Sequence, residues 1–316
     1  MLQQTQVKTV IPFWERWLRE LPTIEAAAKA SPDKLHKLWE GLGYYTRVRN
    51  LQKAAQVICN AHGGVFPRKY EDVLALPGIG RYTAGAICSI AFNEPTPILD
   101  GNVMRVLTRV FGIAENPREK TTNARLWELA AELVAHTKDC SALNQSLMEL
   151  GALVCTPRNA QCLLCPLRKV CVACRDGRVE ELPNLGERTK ATARRFMAFA
   201  IERNGKFLVR QRPAGVVNAH LWEFPNVEVH GNNLHADAVF AHEFGGAAGE
   251  LSPLVTVKHS ITRYRITLEA FKVRAPAIRP PQGAIWKSPA QIQALAFTAA
   301  HKRLASAAAK SILLDR

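Results

Sequence analysis

Four closely spaced cysteines constrain this chain more than any other feature of its sequence. Cys155, Cys162, Cys165 and Cys171 follow the spacing C-x6-C-x2-C-x5-C. Thiolates this close can bind one metal centre, and their uneven gaps favour a compact loop around a [4Fe–4S] cluster. A structural zinc site more often uses two C-x2-C pairs, and disulfides are typical of exported chains. We therefore predict a [4Fe–4S] cluster with zinc as the alternative, and we interpret Cys174, just beyond the four, as a spare thiol.

The charge balance of the chain indicates a polyanionic partner. Its 42 Lys and Arg exceed 27 Asp and Glu, which gives a formal net charge of +15. Because binding to phosphates with such an excess releases counterions, nucleic acid is the favoured partner, and a merely solvated basic surface is the alternative. No apolar run reaches the ~18 residues of a membrane span, and no targeting segment is apparent. We expect a monomer in the cytoplasm of a bacterium, associated with the nucleoid and not with a membrane.

The periodicity of apolar residues divides the chain into three parts. Residues 1–174 carry apolar side chains at helical spacing, residues 175–194 are rich in Arg, Glu and Lys and indicate a linker, and residues 195–316 mix strands with helices. Asn204-Gly205 predicts a tight hairpin turn between two strands. The predicted helices are Gln6–Arg19, Leu42–Ala61, Arg81–Ala91, Val103–Phe111, Asn123–His136, Cys140–Leu153, Ala236–Glu243 and Phe297–Leu314, and the predicted strands are Phe196–Glu202, Lys206–Gln211, Leu254–His259 and Tyr264–Val273.

A glycine-containing turn separates two of the helical stretches. It reads Leu-Pro-Gly-Ile-Gly-Arg-Tyr-Thr-Ala over residues 76–84. Gly78 and Gly80 allow positive φ and bring bare amides to the surface, and the helix that begins at Arg81 directs its positive end toward an anion. The motif is typical of a helix–hairpin–helix that holds the DNA backbone without reading bases. Two glycines alone would equally suit an ordinary turn.

An acidic residue stands before the next helix. Asp100, in Leu99-Asp100-Gly101-Asn102, would serve as an ordinary N-cap if it were considered alone. The order of features changes that interpretation, because a hairpin, an acid and a four-cysteine loop follow one another along the chain.

These motifs resemble the MutY-type adenine DNA glycosylases of the endonuclease III, helix–hairpin–helix superfamily. The resemblance covers nearly the whole chain and rests on five segments. It implies an all-α helix–hairpin–helix glycosylase domain with a [4Fe–4S] loop over residues 1–174, followed by an α+β Nudix-like recognition domain over residues 195–316. The segments are Met1-Leu2-Gln3-Gln4-Thr5-Gln6, Gly41-Leu42-Gly43-Tyr44-Tyr45, the hairpin, Leu99-Asp100-Gly101-Asn102 and the four cysteines.

The resemblance implies a role for each residue around the hairpin. Asp100 would stabilise the cationic sugar that forms when an N-glycosidic bond breaks, and Asn102 would orient sugar and water. Members that also nick the strand have a Schiff-base lysine after the hairpin arginine, where this chain has Tyr82. The resemblance therefore implies hydrolysis by a monofunctional glycosylase, with Tyr82 at the base pocket.

The resemblance also implies how the protein would extrude a base. Leu2, Gln4 and Tyr44 match the residues that fill the vacated place in the stack. The alternative for Tyr44 is a core aromatic residue after a helix cap. The substrate implied is double-stranded DNA with adenine opposite 8-oxoguanine or guanine.

Two departures from the family pattern bear on activity. The family motif reads Ser-Glu-x-Met-Leu-Gln-Gln-Thr, and this chain begins at its Met. The glutamate that protonates the leaving base would lie upstream of Met1, and general-acid catalysis contributes roughly 10²–10⁴ in rate. We therefore expect this chain to bind DNA and to release adenine slowly. The family's Phe-Ser-His strip aligns with Ile261-Thr262-Arg263, so Thr262 is the predicted contact to the opposite base.

The Nudix-like part lacks the Arg-Glu-x-x-Glu-Glu core of a Nudix metal site, so we interpret it as a recognition module. Three other functions stay open from the sequence. They are an endonuclease III-type glycosylase for oxidised pyrimidines, a non-catalytic binder of damaged DNA, and a zinc-containing DNA module.

Overall fold

The computed structural model describes residues 1–3, 5–187, 190–231, 234–246, 249–261, 263–274 and 278–314. The predicted contacts Gln4 and Thr262 lie outside the described residues. Two compact units make up the chain, one formed by residues 1–55 with 189–316 and the other by residues 56–188. None of the helices within the described ranges has the length and apolarity to span a bilayer.

Helices occupy the first part of the chain. The predicted bounds are confirmed for α9 and agree within three residues for α1, α6, α7 and α8, because these segments carry long amphipathic repeats. The short helices α2, α3 and α5 were not predicted. The helices are α1 (Val7–Glu20), α2 (Ile24–Lys29), α3 (Pro32–Trp39), α4 (Thr46–Ala61), α5 (Tyr70–Leu74), α6 (Arg81–Phe92), α7 (Gly101–Val110), α8 (Lys120–Ala135), α9 (Cys140–Leu153) and α10 (Val172–Arg175).

The predicted start of α4 at Leu42 is wrong. The helix begins at Thr46, and the preceding residues form a loop in which Gly41, Gly43 and Tyr44 have positive φ values of 112°, 70° and 47°. Glycine adopts such angles readily and tyrosine does not, so the loop conformation needs support from its neighbours. The apolar spacing continues through this loop, which explains why it looked helical.

A mixed sheet with helices follows. Within the described residues its strand order is β3-β2-β1-β6-β5, with β4 paired to β1 and β7 paired to β2. Strands β1 and β6 run parallel, and the other pairs are antiparallel. Asn204 and Gly205 have φ values of 52° and 69°, which confirms the predicted hairpin turn. The elements are β1 (Thr192–Arg203), β2 (Lys206–Gln211), β3 (Trp222–Glu223), β4 (Asn226–Val229), α11 (Ala236–Phe244), β5 (Glu250–Ile261), β6 (Tyr264–Arg274), β7 (Ala284–Lys287), α12 (Pro289–Ala294) and α13 (Ala299–Leu314).

In the first unit, helices α1–α4 share a core with the C-terminal part of the chain. Leu221 and Ala296, from loops beside β3 and α12, are buried among the side chains of these helices. The polar contacts agree with this packing, since the Arg49 guanidinium donates to the Ala219 carbonyl at 3.2 Å. The sheet therefore has an apolar connection to the N-terminal helices.

In the second unit, helices α6–α9 surround a core centred on α7. Gly151 of α9 lies against the first turn of α7, where an added Cβ would be 2.7 Å from the Asn102 Cβ and 2.9 Å from its carbonyl oxygen. The absence of a side chain thus lets the two helices approach closely at the predicted catalytic segment.

Candidate active site

The hairpin between α5 and α6 presents its glycine backbone to solvent. Leu76 anchors the turn in the core, while Gly78 and Gly80 are exposed. Gly78 has a φ of 79°, and nothing lies within 4 Å of a Cβ built on Gly80. Arg81 begins α6, and its guanidinium carbon lies 4.1 Å from the centre of the Trp127 ring. A phosphate could therefore approach the backbone closely beside a cation held in place by an aromatic ring.

Asp100 caps α7 and lies at the edge of the core. Its Oδ1 accepts hydrogen bonds from the backbone amides of Asn102 at 2.9 Å and Val103 at 2.7 Å. The ordinary N-cap interpretation is therefore correct as local structure. The carboxylate is half-buried, and the cap holds it at the positive end of the helix.

Tyr82 lies near Asp100. Its hydroxyl donates to the Met148 sulfur at 3.4 Å, and the side chain is half-buried. Burial, and then the charge of Asp100, raises the pKa of the Tyr82 phenol. The structure thus brings Tyr82, Asp100 and Asn102 to one end of α7 in the second unit.

Two buried arginines join this end of α7 to the cysteine loop. The Arg105 guanidinium donates to Asn102 Oδ1 at 2.9 Å, to the Gly151 carbonyl at 2.6 Å and to the Cys155 carbonyl at 2.7 Å. Arg109, one turn further on, donates to the Cys155 sulfur at 3.3 Å. Sequence reasoning missed both residues. Their signal was two arginines four positions apart in an otherwise apolar stretch of helix, since long cations are seldom buried without partners.

The four predicted cysteines line one pocket. Cys174, which we set apart from them, lines the same pocket, and its thiol lies beside that of Cys162. Burial, and then the nearby Cys174 thiol, raises the pKa of Cys162. The basic residues Arg158, Arg168 and Lys169 of this loop are exposed. Over the described part of the chain, no three His, Cys, Asp or Glu side chains converge closely enough to hold a single metal ion.

The loop before α4 belongs to the first unit and exposes Tyr44. The Tyr44 side chain is 57% accessible, so the core-aromatic interpretation is wrong for this residue. Its neighbour Tyr45 is buried, and burial raises the pKa of that phenol to about 12. The Arg47 guanidinium carbon lies 5.6 Å from the centre of the Tyr44 ring. The same guanidinium donates to the Met1 carbonyl at 3.0 Å and to the Gln3 carbonyl. Arg47 therefore connects Tyr44 to the segment of the exposed Leu2, a link that the sequence analysis missed.

Two of the three residues aligned with the family's Phe-Ser-His strip, Ile261 and Arg263, are described, and they lie at the facing ends of β5 and β6. The strands pair as far as Ile261 and Tyr264. The Arg263 guanidinium carbon lies 5.2 Å from the Tyr264 ring centre, and the same side chain donates to the Tyr264 hydroxyl at 3.1 Å. Arg263 is exposed, so this end of the hairpin is basic and aromatic.

Comparison with known proteins identifies the family. Residues 1–132 match the family described as HhH-GPD superfamily base excision DNA repair protein, and residues 197–307 match the NUDIX domain. The adenine DNA glycosylase of Rattus norvegicus is 33% identical over 357 aligned residues, covering 96% of this chain and 69% of the relative. The chain belongs to the adenine DNA glycosylases. A relative from Buchnera aphidicola subsp. Acyrthosiphon pisum is 30% identical over 88% of this chain and 78% of its own length.

The adenine DNA glycosylase of Mus musculus is 34% identical over 90% of this chain, and this chain spans 65% of its length. Among solved structures, a thermostable thymine-DNA glycosylase has a TM-score of 0.51 and 29% identity over 55% of this chain and 80% of its own. The predicted combination of a helix–hairpin–helix domain and a Nudix-like α+β domain is thereby confirmed. The predicted boundaries at residues 174 and 195, and the roles of single site residues, stay predictions.

Proposed function

We propose that this protein is a monofunctional DNA glycosylase that hydrolyses the N-glycosidic bond of adenine mispaired in double-stranded DNA. The observation that carries the proposal is the placement of Asp100 at the N-terminus of α7, close to Tyr82, in a chain of the adenine glycosylase family. Asp100 would stabilise the positive charge on the sugar as the base leaves, because a fixed carboxylate offsets charge that develops in the transition state. Asn102, held by Arg105, would orient the sugar and the attacking water.

The residue after the hairpin arginine supports hydrolysis without strand cleavage. A Schiff-base step needs a primary amine, and the stretch from Arg81 to Asp100 contains no lysine. The Tyr82 phenol has a raised pKa and stays protonated at neutral pH, so it can donate a hydrogen bond but is a poor nucleophile. We assign Tyr82 to the wall of the base pocket.

Each unit has exposed residues that suit contact with DNA. Exposed Gly78, Gly80 and Arg81 suit a phosphate, because bare amides and a guanidinium are direct partners for phosphate oxygens. Exposed Tyr44 suits insertion into the base stack, and we propose Leu2 and Gln4 as its companions. For the opposite strand we propose 8-oxoguanine or guanine as the base read near residue 262.

We propose that Cys155, Cys162, Cys165 and Cys171 hold a [4Fe–4S] cluster. The donor set fits, because the four thiols line one pocket, and thiolates at this spacing are the ordinary ligands of a [4Fe–4S] cluster. When bound, such a cluster supplies positive iron centres that offset the repulsion of neighbouring thiolates. The protein's own contribution is the exposed basic loop, which would contact phosphate.

Metal analysis tests the cluster. We expect four irons and four sulfides per chain in the unaltered protein and loss of iron in Cys162→Ser. Cys174→Ser is the matched control, because it removes a thiol of the same pocket, and it should retain all four irons. Zinc in place of iron, or loss of iron in Cys174→Ser alone, would contradict this ligand set.

Single-turnover adenine release from A:8-oxoguanine duplexes, followed for hours so that slow release is detected, tests the proposed reaction. Asp100→Asn should reduce the rate by ~10² or more, because it removes the charge beside the sugar. Asparagine also caps helices well, so the melting temperature and the dissociation constant for the mispair should change little. Undiminished release by Asp100→Asn, or a borohydride-trapped covalent complex in the unaltered protein, would overturn the proposal.

A further inference from the structure

Glu40 is a buried acidic residue at the junction between α3 and the loop that exposes Tyr44. Its side chain is 6% accessible. The Oε2 atom accepts from Lys37 Nζ at 3.0 Å and from Lys302 Nζ at 2.8 Å, and Oε1 accepts from the backbone amide of Phe297 at 3.1 Å. Two of these three donors come from the C-terminal domain, so one carboxylate receives bonds from both ends of the chain.

The C-terminal residues between Gln293 and Lys302 pack against α3 and Glu40, and we call them the docking corner. Lys37 Nζ donates to the carbonyls of Gln293 at 2.7 Å and Leu295 at 3.0 Å. The Lys37 ammonium thus bonds to the C-terminal backbone as well as to Glu40. Ala296, in the same corner, is buried in the core of the N-terminal helices. The contact is therefore apolar at Ala296 and ionic at Glu40.

The loop that follows Glu40 is hydrogen-bonded to residues on either side of it. The Trp39 indole donates to the Gly43 carbonyl at 3.1 Å, and the Gly41 amide donates to the Tyr45 hydroxyl at 3.2 Å. Arg47 donates to the Gly43 carbonyl at 3.1 Å. Gly41 has a φ of 112°, and an added Cβ would lie 3.2 Å from the Phe13 ring, so the residue directly after Glu40 has a backbone conformation that favours glycine and lies close to α1.

We propose that Glu40 is a positioning residue through which the C-terminal domain fixes the loop of residues 41–45 and thereby presents Tyr44 to DNA. This inference rests on the proposed function, because it takes Tyr44 as the residue that enters the base stack.

Electrostatics explains why docking and loop shape depend on each other. Burial alone would favour the neutral acid, yet Lys302, the Phe297 amide and Lys37 together lower the pKa of Glu40, which is therefore ionised at neutral pH. A buried carboxylate that loses its partners must move to solvent or take up a proton. Undocking of the corner near Phe297 would thus displace Glu40, and the adjoining Gly41 would move with it.

Binding of a non-cleavable probe tests the coupling. The probe is a duplex with 2′-fluorinated adenosine opposite 8-oxoguanine, and a matched A:T duplex reports general binding. Glu40→Gln should raise the dissociation constant for the mispair about 5-fold or more, because the loop that presents Tyr44 is no longer fixed, and coupling between residues of one network is of this order. In a Tyr44→Ala background the same change should have no further effect, because the residue that Glu40 positions is gone.

Glu223→Gln is the matched control. Glu223 is 2% accessible and pairs with Arg210 and Arg212 inside the C-terminal domain. Glu223→Gln should lower the melting temperature. Its effect on the dissociation constant for the mispair should be the same in the Tyr44 protein and in Tyr44→Ala. If Glu40→Gln does not fold, Lys302→Met removes the same ion pair at a side chain that is 55% accessible.

The outcomes separate this inference from the proposed function. An effect of Glu40→Gln that persists unchanged in Tyr44→Ala would overturn the positioning role. If the unaltered protein does not prefer the mispair to A:T, the proposed function fails, and hydrogen–deuterium exchange at residues 41–45 then decides. Faster exchange in Glu40→Gln than in Glu223→Gln supports fixation of the loop, and equal exchange overturns it.

Discussion

His301 shows how the Nudix-like fold uses a buried ionisable side chain for structure. Its ring is buried beside Phe224, and Nδ1 accepts a hydrogen bond from the Phe224 amide at 3.1 Å. That bond requires an unprotonated Nδ1. Burial, together with the nearby Arg212, His259 and Arg210 and despite the opposing effect of Glu223, lowers the pKa of His301 from 6.5 to about 4.

The shifted pKa of His301 predicts a stability that falls in acid. The unfolded chain takes up a proton near pH 6.5 and the folded chain only near pH 4, so stability is full above pH 6.5 and declines as the pH falls to about 4. At 1.36 kcal/mol per pKa unit the loss amounts to roughly 3 kcal/mol. Denaturant unfolding of the protein and of His301→Asn, whose amide oxygen can accept the same bond, should give a stability difference that shrinks between pH 7 and pH 4.5. A difference independent of pH would show that His301 does not titrate in this way.

The crossing of α7 and α9 places the proposed catalytic residues. Gly151 leaves room for Asn102, and Arg105 ties both helices to the carbonyl of Cys155. The geometry of the first turn of α7 therefore depends on a helix about fifty residues further along the chain. A change in the spacing of these helices should affect adenine release through Asn102 and not through loss of a reacting group.

Gly151→Ala tests this dependence on helix packing. The added methyl group would lie under 3 Å from the backbone and Cβ of Asn102, so the helices must separate, at about 1–3 kcal/mol of stability. Gly101→Ala is the control, because nothing lies within 4 Å of its Cβ and alanine favours helix. Thermal unfolding and single-turnover release should both be impaired in Gly151→Ala. Equal melting temperatures for the two variants would contradict the close approach.

The chain's two terminal parts form one compact unit through a small set of contacts. Leu221 is fully buried and belongs to the core of helices α1–α4, although it lies in the sequence beside a strand of the Nudix-like sheet. His220 precedes it and stacks on His36 of α3 with ring centres 6.4 Å apart. The C-terminal domain thus contributes to the stability of the N-terminal helices and is not attached only by a linker.

Leu221→Ala should therefore destabilise more than an isolated loop change. Removal of a fully buried leucine side chain costs about 2–5 kcal/mol. Val217→Ala, in the same loop but with 59% of its side chain accessible, should change the unfolding free energy little. Denaturant unfolding followed by tryptophan fluorescence includes the signals of Trp17 and Trp39 of the helical core, two of the six tryptophans of the chain. Similar midpoints for the two variants would show that the C-terminal domain does not support these helices.

Much of the fold followed from local spacing. The bounds of α9 and β2, the Asn204-Gly205 turn and the hairpin before Arg81 were readable because each depends on residues close together in the chain. The helix predicted from Leu42 wrongly includes residues 42–45, since the apolar spacing continues there and positive φ angles leave little trace outside glycine. The short helices α2, α3 and α5 were missed because a helix of two turns carries too few repeats.

Of the candidate site, too, one part was predictable from the sequence and another part only from the folded structure. The sequence alone was enough to predict Asp100, Tyr82 and the four cysteines as candidate site residues, because their motifs are short and chemically specific. The buried roles of Arg105 and Arg109, the place of Cys174 in the cysteine pocket and the bonds of Glu40 to Phe297 and Lys302 emerged only in the folded chain. These contacts join residues separated by tens to hundreds of positions, and which partner a buried charge meets depends on how helices and sheet pack, which no local pattern encodes.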